Sequence, residues 1–174
     1  RQSIRSWKTL SMSLNTMISR LWSFIGKVLG RKNVQAKTIE LHLTSNPEML
    51  RVLRAAVQQM CGLAGFAKVD CSKITLAVDE ACTNVIKHAY KNRAGQPIIV
   101  LIKIGETHLE VTVEDYGEPA NIESIKPRPL EEIRPGGLGV YIIRSVMDEV
   151  TYTPLPDIGN RLVMTKVLPR EKKA

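Results

Sequence analysis

From residue 38 onward, the apolar positions of the chain fall into short alternations and helical repeats that succeed one another with little between them. Thr38-Ile39-Glu40-Leu41-His42-Leu43 alternates polar with apolar, the two-residue period of a half-buried strand. Ser45-Asn46-Pro47-Glu48 then has the make-up of a helix start, a capping box with proline in the first turn. Leu50, Leu53, Ala56, Val57 and Met60 share one helical face and predict a helix to about Leu63. Gly62, Gly65 and Asp70 punctuate the chain. Ile74, Val78, Ala81, Val85 and Ala89 then repeat the helical spacing, predicting a second helix over 71–91.

Residues 92–97 read as a turn. Two strands follow, over 98–104 and 107–114, joined by Gly105-Glu106 as a tight hairpin. In the second, Leu109, Val111 and Val113 face one way, and Glu110, Thr112 and Glu114 the other. Residues 116–135 carry Pro119, Pro127, Pro129 and Pro135 and few apolar positions, so they predict a long loop. Loops of that length in compact domains are functional lids or disordered segments. A helix over 138–147 and strands over 149–153 and 161–168 close the pattern. The order predicts an α+β fold: a two-layer α/β sandwich whose mainly antiparallel (mixed) sheet carries helices on one face.

Charge divides the chain in two. Residues 1–37 hold eight of the 25 Lys and Arg residues and none of the 17 acids, so 38–174 is electrically neutral despite the net charge of +8. A neutral body with few aromatics argues against a nucleic-acid-reading domain, which needs a basic face. Three regions result: a basic extension over 1–37, a domain over 38–169 and a charged tail over 170–174. Within the extension, Leu21, Ile25, Val28 and Leu29 keep helical spacing, and an amphipathic helix over 14–29 is one reading. The extension is open to three interpretations: an interfacial helix on anionic lipid, a targeting segment, or a flexible basic extension, the last being preferred. No apolar run reaches the ~20 residues that span a bilayer. Cys61, Cys71 and Cys82 fit no metal spacing and read as small buried hydrophobes in a reducing cytoplasm.

Three segments carry candidate chemistry. Glu80, Asn84 and His88 stand at i, i+4 and i+8, which stacks them on one face of the second helix. Asn84 can offer oxygen to Mg²⁺, and Glu80 can orient or deprotonate a nucleophile, with Asp79 a rival carboxylate about 100° around the helix. Glu114-Asp115-Tyr116-Gly117-Glu118-Pro119 ends a strand with an acid able to accept from a buried amine, behind a wall that glycine keeps thin. Gly136-Gly137-Leu138-Gly139 opens a helix whose free amides suit an anion, and Arg134 just before it can reach phosphate. Each segment alone is equally compatible with a solvated helix face, a plain turn or a tight loop.

In order and spacing, Glu80-Ala81-Cys82-Thr83-Asn84-Val85-Ile86-Lys87-His88-Ala89-Tyr90 resembles the N-box of the GHKL (Bergerat-type) ATPase superfamily. Asp115-Tyr116-Gly117-Glu118-Pro119 resembles its G1 box, and Gly136-Gly137-Leu138-Gly139 its G2 box. Residues 134–150 are most similar to the anti-sigma factor serine kinases of bacterial partner-switching systems, and Pro119, where sensor kinases usually carry glycine, favours that branch. The resemblance implies a Bergerat ATP-binding fold with ATP and Mg²⁺ as cofactors. It implies Glu80 as general base and Asn84 as metal ligand. Asp115 would accept from the adenine amine, with Gly117 shaping that wall. Gly137, Leu138 and Gly139 would lie on the phosphate side, and Arg134 would touch the terminal phosphate or the protein substrate. His88 matches a commonly filled position, with a binding or a purely structural part left open. Gly159-Asn160-Arg161 departs from the family, standing where many relatives have threonine beside the adenine.

Two functions follow from the resemblance. One is a cytoplasmic protein serine/threonine kinase that phosphorylates a STAS-type antagonist and holds a sigma factor inactive, touching no nucleic acid directly; many relatives dimerise through the sheet, so a homodimer is left open alongside a monomer. The other is a nucleotide-binding regulatory module without catalysis. A histidine sensor kinase is disfavoured, because His42, the histidine ahead of the N-box, falls in a predicted strand.

Overall fold

The computed structural model describes residues 37–119, 138–155 and 158–169. The expectations for the basic extension and its helix over 14–29, for most of the lid and for the tail lie outside these residues. Lys37, assigned to the extension from sequence, opens the first strand.

Five strands form one open sheet: β1 (Lys37–Thr44), β2 (Pro97–Ile104), β3 (His108–Asp115), β4 (Glu149–Leu155) and β5 (Gly159–Val167). Their spatial order is β1-β2-β3-β5-β4, and all neighbours are antiparallel. The alternation read from sequence decides the faces. Leu41, Val100, Val113, Leu162 and Tyr152 lie in one cross-strand row on the helix side. Glu40, Leu101, Thr112, Val163 and Thr151 form the adjacent row on the opposite face. Three helices pack on the first face: α1 (Leu50–Leu63), α2 (Lys68–Asn84) and α3 (Leu138–Val146). Leu53, Val57, Ile74, Val78 and Ile143 join Val100, Ile102, Leu109, Val111 and Met164 in a single core. No described helix is long and apolar enough to cross a membrane.

Three local expectations change. Ser45-Asn46-Pro47-Glu48 does not cap a helix. Pro47–Met49 forms a 3₁₀ turn ahead of α1, and the polar side chains before it are used elsewhere. Asn46 accepts from the amide of Gly95 at 3.2 Å. Ser45 donates to the carbonyl of Arg93 at 2.6 Å and accepts from the amide of Gln96 at 3.0 Å. Ser45 is buried at the end of β1, so satisfying the backbone of the neighbouring turn wins over capping. The hairpin loop is one residue longer than predicted, 105–107, with the amide of Gly105 bonding the carbonyl of His108 across it.

The second helix also departs from one regular period. Regular α-structure starts at Lys68, ends at Asn84 and passes into a π-turn over Val85–Ala89. Lys91 and Asn92 then adopt left-handed backbone, with φ of 51° and 60°, which stops the helix. Cys61, Cys71 and Cys82 are all buried free thiols, as expected. Burial, with Cys71 adjacent, pushes the Cys61 thiol up to about 12, so it stays protonated at neutral pH.

Just beyond the π-turn, fully buried Tyr90 joins two strand ends. Its hydroxyl donates to the carbonyl of Pro97 at 2.5 Å and accepts from the amide of Tyr116 at 2.8 Å. Burial holds its phenol above the usual tyrosine range. Tyr90→Phe strands both backbone partners and is expected to cost about 1–3 kcal/mol. Urea unfolding checks this, and an unchanged midpoint at unchanged slope counts against the bridge.

Candidate functional site

The carboxyl-terminal half of α2 and its π-turn organise the candidate site. Asp79 and Glu80 are adjacent carboxylates, and the fold separates their uses. Asp79 points to α1, where it accepts from Arg54 Nη1 at 2.7 Å. Glu80 turns the other way, toward α3. Gly139, in the first turn of α3, approaches so closely that a Cβ there would lie 2.8 Å from Glu80 Oε2 and 3.3 Å from Asn84 Nδ2. The α3 backbone therefore comes close to these two side chains, and any larger residue at 139 would require the Glu80 carboxylate to shift. Leu138, one residue earlier, is 60% exposed.

A second group lies at the end of the π-turn, nine residues along the chain from Glu80. Gly117 packs on the π-turn: a Cβ there would fall 2.6 Å from the carbonyl oxygen of Ala89. This wall is as thin as a chain can make it. Behind it Asp115, on the helix-facing side at the end of β3, is only 5% exposed. Its Oδ1 accepts from the amide of Gly117 and from Asn160 Nδ2, each at 2.9 Å. Burial raises the carboxyl above the usual aspartate range, against the lowering effect of those two donors. Among the described residues no buried side-chain oxygen lacks a partner, and Oδ2 accepts from none of them, so Oδ2 must open on solvent or a ligand.

The fold thus gathers Glu80, Asn84 and Gly139 at one end and Asp115 and Gly117 at the other. Arg134 and Gly137 lie outside the described residues. His88 sits on the π-turn and is exposed. The uniform 100° step that stacked it on Glu80 and Asn84 ends at Asn84, because a π-turn takes more residues per revolution. Three further contributors, Tyr90, Gly159 and Asn160, had no role assigned from the sequence. Gly159 has φ of +146°, and a Cβ there would fall 1.9 Å from the carbonyl oxygen of Asp115. The available signal was the Gly-Asn pair opening the last strand, but its partner is evident only once the β3–β5 register sets Asn160 opposite Asp115.

The donor set fits a purine nucleotide with a hard cation. Asp115 Oδ2, beside the thin wall at Gly117, has no donor among the described residues and suits an exocyclic amine. Asn84 supplies an amide oxygen beside the Gly139 backbone. Among the described residues there is no cluster of three His, Cys, Asp or Glu to cage a metal. A cation at Asn84 would therefore draw most of its ligands from phosphate and water, which is how Mg²⁺ is usually held.

Comparison with known proteins identifies the family. Residues 43–166 match the histidine kinase-like ATPase domain family. The chain is 31% identical over 142 residues to the serine-protein kinase RsbW of Bacillus mycoides (strain KBAB4), covering 77% of this chain and 87% of that protein. Its fold resembles SiaB in the SiaB-SiaC complex from Pseudomonas aeruginosa, with a TM-score of 0.57 at 13% identity, covering 86% of this chain and 99% of that one. It also resembles the structure of the RsbU and RsbW domains of a Mycobacterium tuberculosis protein, with a TM-score of 0.55 at 16% identity. That match spans 75% of this chain but only 32% of the other, a part of a larger protein. The chain belongs to the histidine kinase-like ATPase domain family, among relatives named RsbW serine-protein kinases.

Proposed function

We propose that this protein is an ATP-dependent protein serine kinase. Its substrate is a serine hydroxyl on a small antagonist of the STAS type, and between phosphorylations it holds a sigma factor inactive. The observation that carries the enzymatic reading is the close approach of the Gly139 backbone to Glu80 and Asn84, which brings the last glycine of the glycine-rich motif onto a carboxylate and an amide. The identity of the protein partners rests on the resemblance to the anti-sigma kinases and on the RsbW relatives.

Asp115 accepts from the adenine amino group through Oδ2, with Gly117 leaving room for the base. Gly139 faces the phosphates, where the absence of a side chain lets its backbone approach them. Asn84 Oδ1 would hold Mg²⁺, which when bound neutralises charge on the phosphate oxygens. Glu80 receives the proton of the serine hydroxyl as its oxygen forms a bond to the γ-phosphorus. The bond from γ-phosphorus to the β–γ bridging oxygen breaks, and ADP departs with that oxygen. In such a transfer the protein chiefly positions groups and offsets charge, and one carboxylate on the nucleophile suffices as base.

Two outcomes test this. Glu80→Ala should lower transfer of labelled phosphate from ATP to the cognate antagonist by about 100-fold or more, with ATP affinity held within a few-fold. Transfer at the wild-type rate would refute the catalytic assignment. Asp115→Asn should abolish ATP binding yet raise the melting temperature at neutral pH. Burial lifts the folded-state pKa of Asp115 above its unfolded value, so the ionised form is penalised on folding. That penalty is present above the folded pKa and vanishes below the ordinary carboxylate range, where both states are protonated. The stabilisation by asparagine should therefore shrink on acidification, and a gain that grows as pH falls contradicts the assignment.

A further inference from the structure

The start of β5 lies outside the three motifs, and nothing in the nucleotide reading gives it a task. Asn160 nevertheless makes the most pointed contact in the recess. It stands opposite Asp115 in the β3–β5 register, and its Nδ2 donates to Asp115 Oδ1 at 2.9 Å and to the carbonyl of Glu118 at 3.0 Å. A carboxamide nitrogen carries two hydrogens and no acceptor capacity. Both can therefore be engaged, one on the carboxylate and one on the loop that carries Gly117.

The amide of Gly117 takes the other position on Oδ1, also at 2.9 Å. With Oδ1 held from two directions, the carboxylate cannot rotate, and its remaining acceptor capacity is concentrated on Oδ2. The backbone beneath is equally constrained, since Gly159 packs against the carbonyl of Asp115 where no other residue fits. A threonine hydroxyl at this position could donate or accept and could turn away. The asparagine nitrogen can only donate, so it enforces one orientation of the acid.

That orientation has a chemical consequence. A 6-amino purine presents an N–H donor where a 6-oxo purine presents a carbonyl acceptor. A fixed acceptor-only oxygen attracts the first and repels the second. We propose that Asn160 is a positioning residue that sets purine selectivity: by pinning Asp115 Oδ1 and the Glu118 carbonyl, it directs Oδ2 at the base so that the site takes ATP and rejects GTP. This inference rests on the ATP reading above.

Titration calorimetry of the full chain with ATP and with GTP, for wild type, Asn160→Ala and Asn160→Thr, tests it alongside thermal melts. Wild type should prefer ATP. Asn160→Ala should lose about tenfold or more in ATP affinity while GTP affinity changes little, so that the preference collapses. Asn160→Thr, which keeps a donor, should fall between them and serves if the alanine variant does not fold. A merely structural asparagine would weaken both nucleotides in proportion and leave their ratio within about twofold, which overturns the proposal while the ATP reading stands. Wild type that binds neither nucleotide overturns the ATP reading and this inference with it.

Discussion

A buried carboxylate at the end of a central strand must keep its hydrogen bonds or give up its charge, and much of this domain is arranged around that requirement at Asp115. Three chain segments converge on it. The loop after β3 contributes the amide of Gly117, β5 contributes Asn160, and the end of α2 holds the loop through Tyr90 and the amide of Tyr116. β3 pairs with β5 across a crossover that places β4 outside, and this topology brings residue 160 beside residue 115. Two glycines make the convergence sterically possible: Gly159 against the Asp115 carbonyl and Gly117 against Ala89. Burial raises the cost of the charge, and the surrounding donors offset part of that cost.

The same helix serves both ends of the site. The inward stripe of α2, with Ile74, Ala77, Val78 and Ala81, is buried in the core. This leaves Glu80 and Asn84 beside α3, while Asp79 is occupied by Arg54. Packing therefore selects which of two adjacent acids faces Gly139. The π-turn then reorients the chain before Tyr90, so the helix finishes with its phenol under the loop after β3 rather than continuing a uniform face. π-turns of this kind recur at functional sites because they change direction without ending the helix.

Legibility in the sequence followed the range of the interactions involved. The strands could be read because alternation is local, and Leu109, Val111 and Val113 do face the core. The pairing of Glu80 with Asn84 was readable from one helical turn. The capping box misled because Ser45 and Asn46 satisfy the turn before β2, some 50 residues away in the chain. The place of His88 depended on a π-turn that no periodicity announces. Asn160 was visible only as a departure from the family pattern, because its partner lies across a sheet register. Gly159 and Tyr90 were hidden for the same reason: each acts on backbone that arrives from elsewhere in the chain.

The central claim is that the recess beside Asp115 and the Glu80–Asn84 face form the two ends of one nucleotide site. A crystal structure of the protein with Mg²⁺ and a non-hydrolysable ATP analogue tests it most directly. The account predicts the purine amino nitrogen within hydrogen-bond distance of Asp115 Oδ2, with Asn160 still on Oδ1. The metal should contact Asn84, with the phosphates beside it and Gly139. A nucleotide bound elsewhere, or a base that leaves Oδ2 without a donor, would contradict it.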